Sequence, residues 1–227
     1  MELVDTNPTD ARKARRMQRA ANGLCYLRMA AGPLIGAYIA REKEYRSWKT
    51  AGLIGALALT DALDGKLARR AALLDPSVKS QRGAWLDQMA DKVFTHGILG
   101  GMTINAARSN KVQAAILAAN QATQLARDTW VTEIRKRAAE HNVPTNAQTL
   151  GKIKTGVLLA SSITMASPIA ANEYGADLAI AGISSGSALS VISGISLANS
   201  LSAGIEVTEQ TNIEEEPMLP PTLSLEA

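Results

Sequence analysis

Runs of small apolar residues alternate with charged connectors along this chain. Six segments stand out, at approximately 23–40, 49–63, 85–107, 112–134, 155–171 and 176–200. Each is near the length at which a helix crosses a hydrocarbon core of ~30 Å. No strand-like alternation of useful length and no repeat at a fixed period interrupts them, so the pattern predicts an all-α protein with six transmembrane helices. None of the six is purely apolar. Arg28 interrupts the first, carboxylates around Asp87 the third, and Arg127 with Asp128 the fourth. A soluble bundle with exposed helical faces is the competing explanation of those charges.

Composition alone favours the soluble reading, because 46% of the 227 residues are hydrophobic and 20% charged, with a mean hydropathy of -0.01. Its detail points the other way. The chain holds 39 Ala and 17 Gly, the small residues that let membrane helices approach closely. A single cysteine, Cys25, excludes a disulfide framework or a cysteine-rich metal site, and is expected to be a small buried residue rather than a nucleophile. With only 4% aromatics there is little material for stacking on nucleic acid, and no nucleic-acid partner is expected.

Charge divides the chain into three parts. Residues 1–21 form a basic leader with no apolar stretch of the kind that opens a secretory signal, and an amphipathic helix at an anionic lipid surface suits it. The membrane domain spans 22–204. Residues 205–227 are acidic and carry Pro217, Pro220 and Pro221, the composition of a disordered tail. All 24 Lys and Arg lie at or before Lys154. With the N-terminus inside, the inner connectors hold fifteen basic residues and the outer ones six, which predicts both termini in the cytoplasm.

The chemistry concentrates in Asp61-Ala-Leu-Asp64-Gly65-Lys-Leu-Ala68-Arg69, followed after thirteen residues by Gly83-Ala-Trp-Leu-Asp87-Gln-Met-Ala-Asp91. On helices, Asp61 and Asp64 lie ~60° apart around the axis and Asp87 and Asp91 ~40° apart, so each pair shares one face. Carboxylates at membrane depth are costly, and their clustering asks for cations. Oxygen-only ligands with no accompanying His or Cys suit Mg²⁺, Mn²⁺ or Ca²⁺ rather than zinc, and four carboxylates fit two such ions better than one. Helix capping and surface ion pairs with Lys66, Arg69 and Lys92 would explain one such pair of carboxylates, but hardly both in register with Gly65, Ala68, Arg69 and Gly83. Gly65 and Ala68 leave room for a ligand against the backbone, and Arg69 can fork onto a phosphate.

At these residues the chain resembles the CDP-alcohol phosphatidyltransferase family of membrane enzymes, whose signature is D-x-x-D-G-x-x-A-R, a variable spacer and G-x-x-x-D-x-x-x-D. The resemblance covers roughly residues 22–200. It implies six transmembrane helices around a cytoplasm-facing cavity with two metal ions, in the inner membrane of a bacterium. By the same resemblance Asp61, Asp64, Asp87 and Asp91 bind metal and Asp91 also serves as general base. Gly65, Ala68, Arg69 and Ser80 would contact the CDP moiety. Two features depart from the pattern: the spacer from Arg70 to Arg82 is long and expected to bulge into the cytosol, and Cys25 stands where a Thr is often found in N-x-L-T-x-x-R.

The stretch from Arg127 to Arg137 and the element Gly151-Lys152-Ile-Lys154-Thr155 look like the corresponding parts of bacterial phosphatidylglycerophosphate synthases, except that Asp128 replaces a frequent Glu. That likeness implies CDP-diacylglycerol and glycerol 3-phosphate as substrates. A dianionic acceptor needs cationic donors, for which Arg127, Lys152 and Lys154 are the candidates, with Arg70 and Lys92 behind them. An acceptor such as inositol phosphate is the alternative within the family; a prenyl-transfer enzyme and a non-catalytic bundle are the alternatives outside it. His96, ~140° around the helix from Asp91, and His141 are expected to be structural or solvated. The Ala/Gly-rich spans would allow a homodimer.

Overall fold

The computed structural model describes residues 8–78, 81–140 and 149–214. Among them run six α-helices: α1 (Pro8–Arg41), α2 (Trp48–Leu74), α3 (Gln81–Ser109), α4 (Lys111–Glu140), α5 (Thr149–Ala166) and α6 (Glu173–Glu214). Short 3₁₀ turns lie at Pro76–Val78 and Pro168–Ala171, and the described residues contain no strand.

Each expected apolar segment falls on its own helix, but the helices outrun the segments. From Pro8 onward the basic leader is continuous with α1 rather than a separate element, since its Ala, Arg, Lys and Gln are strong helix formers and Pro33 is the first proline beyond the helix start. The spacer after Arg70 is shorter than expected of a bulge: α2 continues to Leu74 and α3 begins at Gln81. Between them Asp75 accepts from Ser77 N–H at 2.9 Å, and the hydrogen bonds from Ser77 hold its carboxyl below the usual range. The fifth segment ends early, at Ala166, because Pro168 cannot continue the helix and Ser167 Oγ accepts from Ile169 N–H at 3.2 Å instead. At the far end α6 runs on to Glu214, through the first ten residues of the acidic segment expected to be disordered; no Gly or Pro falls between Gly204 and Glu214 to stop it. Residues 215–227 lie outside the described residues.

The helices close into a ring. Each packs on two neighbours in the order α1, α2, α5, α6, α4, α3 and back to α1. The most extensive contact is that of α1 with α3, where Gly32 and Gly36 meet Gly97 and Gly101 backbone to backbone. A Cβ on Gly36 would run into the Gly97 carbonyl, and one on Gly101 into the backbone of Gly36. Small residues four apart on both helices permit this approach. The carbonyls at the end of α1 and just past it are capped from α3: Asn105 donates to Ile39 O at 2.8 Å and to Glu42 O at 2.9 Å, and Arg108 donates to Ala40 O. On the opposite side α4 and α6 are joined by a polar ladder. Asn120 donates to Ser184 Oγ at 3.0 Å, Gln124 to Ser187 Oγ at 3.4 Å and Arg127 Nε to Ser190 O at 3.0 Å.

The main core fills the ring with Ile39, Ile54, Leu99, Met102, Leu117, Met165 and Ile183, all almost fully buried. Outside it the surface is apolar too, with Leu34, Leu59, Ile104, Leu178 and Ile192 all more than half exposed. A water-soluble bundle would not present so many large apolar side chains, whereas lipid accepts them. By length and composition α1 and the stretch Glu173–Gly204 of α6 can cross a membrane. Exposed aromatics mark two levels: Tyr38, Trp48 and Tyr174 where α1 ends and α2 and α6 begin, and Trp85 and Trp130 toward the other end. Such belts sit at the two interfaces of a bilayer. The protein is an all-α membrane bundle.

Candidate active site

Asp61 and Asp64 lie on α2, Asp87 and Asp91 on α3, and both helices pack against α1. Arg28 of α1 binds the two pairs together. Its guanidinium, 1% exposed, donates to Asp61, to Asp64 Oδ2 at 2.8 Å and to Asp87 Oδ1 at 3.3 Å. One turn earlier on the same face, Cys25 Sγ lies 3.4 Å from Asp64 Oδ2. Donor atoms of Cys25, Asp64 and Asp87 lie within 4.8 Å of one another. Asp64 is buried, while Asp61 and Asp87 keep half of their side chains exposed, 51% and 55%. Leu86 and Ala90 pack under Cys25 and fix the start of α3 against α1.

A cavity opens beside this cluster. Arg28, Asp61, Asp91, Lys92, His96, Asp128 and Lys154 line its polar part; Ile54, Phe94, Ile98 and Leu158 line its apolar part. Asp128 is the hub of the far wall, with Arg127 Nη1 at 3.0 Å and His96 Nε2 and Lys154 Nζ each at 3.9 Å. Lys92 Nζ donates to Thr132 Oγ1 at 3.3 Å, tying α3 to α4 across the same wall. The arrangement sets a carboxylate cluster on one side and a cation-bearing wall on the other, with Asp91 lining the space they share.

The sequence candidates are distributed unevenly over this geometry. Asp61, Asp64 and Asp87 come together on Arg28, and Asp91 and Lys154 line the cavity. Arg127 is turned toward Ser190 O of α6 through Nε and toward Asp128 of its own helix through Nη1. Half-buried Gly65 sits beside exposed Arg69, where a Cβ would come within 3.3 Å of the Arg69 guanidinium; Ala68 is half-buried on the same helix. Ser80, His141 and the side chain of Lys152 lie outside the described residues.

Two residues gain importance beyond their sequence reading. Arg28 reads in the sequence as an interruption of the first span, and becomes the link between both carboxylate pairs; its place at the end of N-x-L-C-x-x-R was the available signal. His96 shares the cavity with Asp91, because the wall curves around α3 and collects residues from well apart on that helix.

The chain matches the CDP-alcohol phosphatidyltransferase family over residues 18–192. Among solved structures it is similar to the phosphatidylinositol phosphate synthase PgsA1 of Mycobacterium tuberculosis, once with CDP-DAG bound and once in complex with manganese and citrate. Both likenesses have a TM-score of 0.58 at 15% identity and cover 85% of this chain, with 92% and 88% of the solved chains covered respectively. No curated protein matches. At that identity the solved structures speak for the fold, and the family match speaks for the class of enzyme.

Proposed function

The chain belongs to the CDP-alcohol phosphatidyltransferase family, and on that premise we propose that it transfers the phosphatidyl group of CDP-diacylglycerol to glycerol 3-phosphate, releasing CMP and phosphatidylglycerophosphate. The observation that carries this reading is the meeting of the carboxylate cluster and the Lys154 wall around one cavity. A nucleotide diphosphate and a phosphorylated alcohol both bring negative charge, so both need cationic surroundings within reach of a base.

The donor set fits divalent metal. Three carboxylates around the single guanidinium of Arg28 leave two negative charges uncompensated, and their oxygens are hard donors suited to Mg²⁺ or Mn²⁺. Asp61, Asp64, Asp87 and Asp91 are the residues that would hold two such ions, which when bound supply Lewis-acid polarisation of the pyrophosphate. Manganese in the similar PgsA1 structure agrees with that choice.

Asp91 takes the proton from the acceptor hydroxyl, that oxygen attacks the phosphatidyl phosphorus, and CMP departs. Lys154 receives the acceptor phosphate, with Lys152, two residues earlier in the sequence, proposed as a second cation; Asp128 keeps Lys154 aimed at the cavity. Gly65, Ala68 and Arg69 of α2 are the proposed contacts of the CDP moiety, together with Ser80, eleven residues later in the sequence. Fifteen basic residues on one set of connectors against six on the other support a cytoplasmic site with both termini inside.

The test is purified protein in detergent with CDP-diacylglycerol, Mn²⁺ and one acceptor at a time. CMP release is expected with glycerol 3-phosphate. Preference for inositol 1-phosphate, the acceptor class suggested by the similar synthase, would overturn the acceptor assignment and leave the transfer chemistry standing.

A further inference from the structure

Arg28 presents an unusual arrangement: a fully buried guanidinium shared among three carboxylates from two other helices. It is held in place from its own helix, since the Gly32 and Gly36 crossing that locks α1 to α3 begins one turn beyond it. Its Nε is buried without a hydrogen-bond partner among the described residues, while its two terminal nitrogens hold the three carboxylates. Without Arg28, Asp64 would be a buried carboxylate with only the Cys25 thiol beside it, an arrangement of high cost.

We propose that Arg28 is a built-in counter-cation of the carboxylate site: it gathers Asp61, Asp64 and Asp87 before any metal arrives and sets the affinity at which divalent cations enter. This rests on the metal-binding role proposed above for those residues. The physical reasoning has two parts. In the metal-free protein one guanidinium satisfies carboxylates from α2 and α3 at once, so the site stays assembled. Divalent ions held by the same carboxylates would have to share them with this positive charge, which would oppose their entry, because like charges drawn to one set of oxygens repel in a protein interior. Arg28 is thus a positioning residue whose charge trades metal affinity for a pre-formed site.

The two parts make opposite demands on a variant, and that separates this role from a purely structural one. Full-length wild type, Arg28→Met and Arg28→Lys are compared in detergent by Mn²⁺ binding, read from the electron paramagnetic resonance signal of free Mn²⁺, and by thermal melting in EDTA and in saturating Mn²⁺. Arg28→Met is expected to melt well below wild type in EDTA, to regain most of that loss in Mn²⁺, and to bind Mn²⁺ about tenfold more tightly. Arg28→Lys keeps the charge without the fork: its Mn²⁺ affinity stays within about threefold of wild type while its metal-free melting falls. A merely structural arginine would loosen the site when removed and weaken Mn²⁺ binding. Equal or weaker Mn²⁺ binding by Arg28→Met therefore overturns the proposal. Should Arg28→Met not fold even with Mn²⁺, Arg28→Lys decides: Mn²⁺ binding within about threefold of wild type together with lowered melting in EDTA supports the proposal, and Mn²⁺ binding weakened beyond that overturns it. Absence of Mn²⁺ binding by wild type itself would remove the metal-site reading, a result distinct from a flat Arg28 series.

Discussion

Asp91 is set apart from the other carboxylates of the site by its lack of a close counter-charge. Asp61, Asp64 and Asp87 share Arg28, and Asp128 has Arg127, Lys154 and His96, whereas Asp91 has no ion-pair partner within 4.0 Å among the described residues. A carboxylate committed to a guanidinium is a poor proton acceptor, so the group left to take the acceptor's proton is Asp91. Asp91→Asn is expected to lower CMP release by about 10²–10⁴-fold, the usual worth of a positioned base, with little change in melting temperature. Turnover at the wild-type rate in that variant would remove the general base from the mechanism. Chelation belongs to the same scale. EDTA is expected to abolish CMP release and Mn²⁺ or Mg²⁺ to restore it, while the helical circular dichroism of the metal-free protein stays unchanged, since Arg28 alone keeps three of the carboxylates gathered.

Among the elements, α1 does two jobs that its sequence announces unequally. Its apolar run is legible as a span, and so is the spacing that places Asp61 with Asp64 and Asp87 with Asp91, because helical periodicity is a local property. What brings the two pairs together is not local. α2 and α3 meet through α1, at an arginine that the sequence shows as an interruption of a span and as the last position of N-x-L-C-x-x-R, and through glycines whose partners lie more than sixty residues away. The Gly32–Gly36 and Gly97–Gly101 spacings are visible in the chain, but nothing in either says that it docks on the other. The crossing makes a sharp prediction. Gly36→Val or Gly97→Val sets a side chain against backbone that has no rotamer to yield, and is expected to cost at least the roughly 1–3 kcal/mol of ordinary overpacking, with loss of CMP release as Arg28 moves away from the carboxylates. Gly52→Ala, on α2 with nothing within 4 Å of the added Cβ, is the control, expected to leave activity unchanged and stability equal or slightly higher. Melting temperature with CMP release checks both, and equal behaviour of the two substitutions would show that the crossing is not close.

For the whole molecule the question is which way the ring faces. The near-zero mean hydropathy of the chain conceals this, because it averages Ala/Gly-rich spans with basic inner ends and an acidic end. Separating the ends by side restores the information. Taking exposed Trp48 as one interfacial level, the thirteen residues to Asp61 rise about 20 Å along α2 and the sixteen to Asp64 about 24 Å. In a hydrocarbon core of ~30 Å the carboxylates thus lie in the third farthest from Trp48, near Trp85 and within reach of water at the opposite interface. That interface is the one from which Lys66, Arg69, Arg70, Arg135, Lys136 and Arg137 project at the ends of α2 and α4, the side that the positive-inside rule assigns to the cytoplasm. On that assignment the stretch from Arg41 to Lys49, which joins α1 to α2, faces outward although it holds four basic residues, its charge diluted by Glu42 and Glu44. Two single-cysteine proteins in a Cys25→Ala background test the assignment. Exposed Lys43 lies in that outer connector and exposed Lys136 near the inner end of α4. A membrane-impermeant maleimide applied to intact spheroplasts is expected to label Lys43→Cys but to reach Lys136→Cys only after the cells are opened. The reverse pattern would turn the ring over and put the site on the side without CDP-linked substrates, which no cytoplasmic nucleotide pool could then supply.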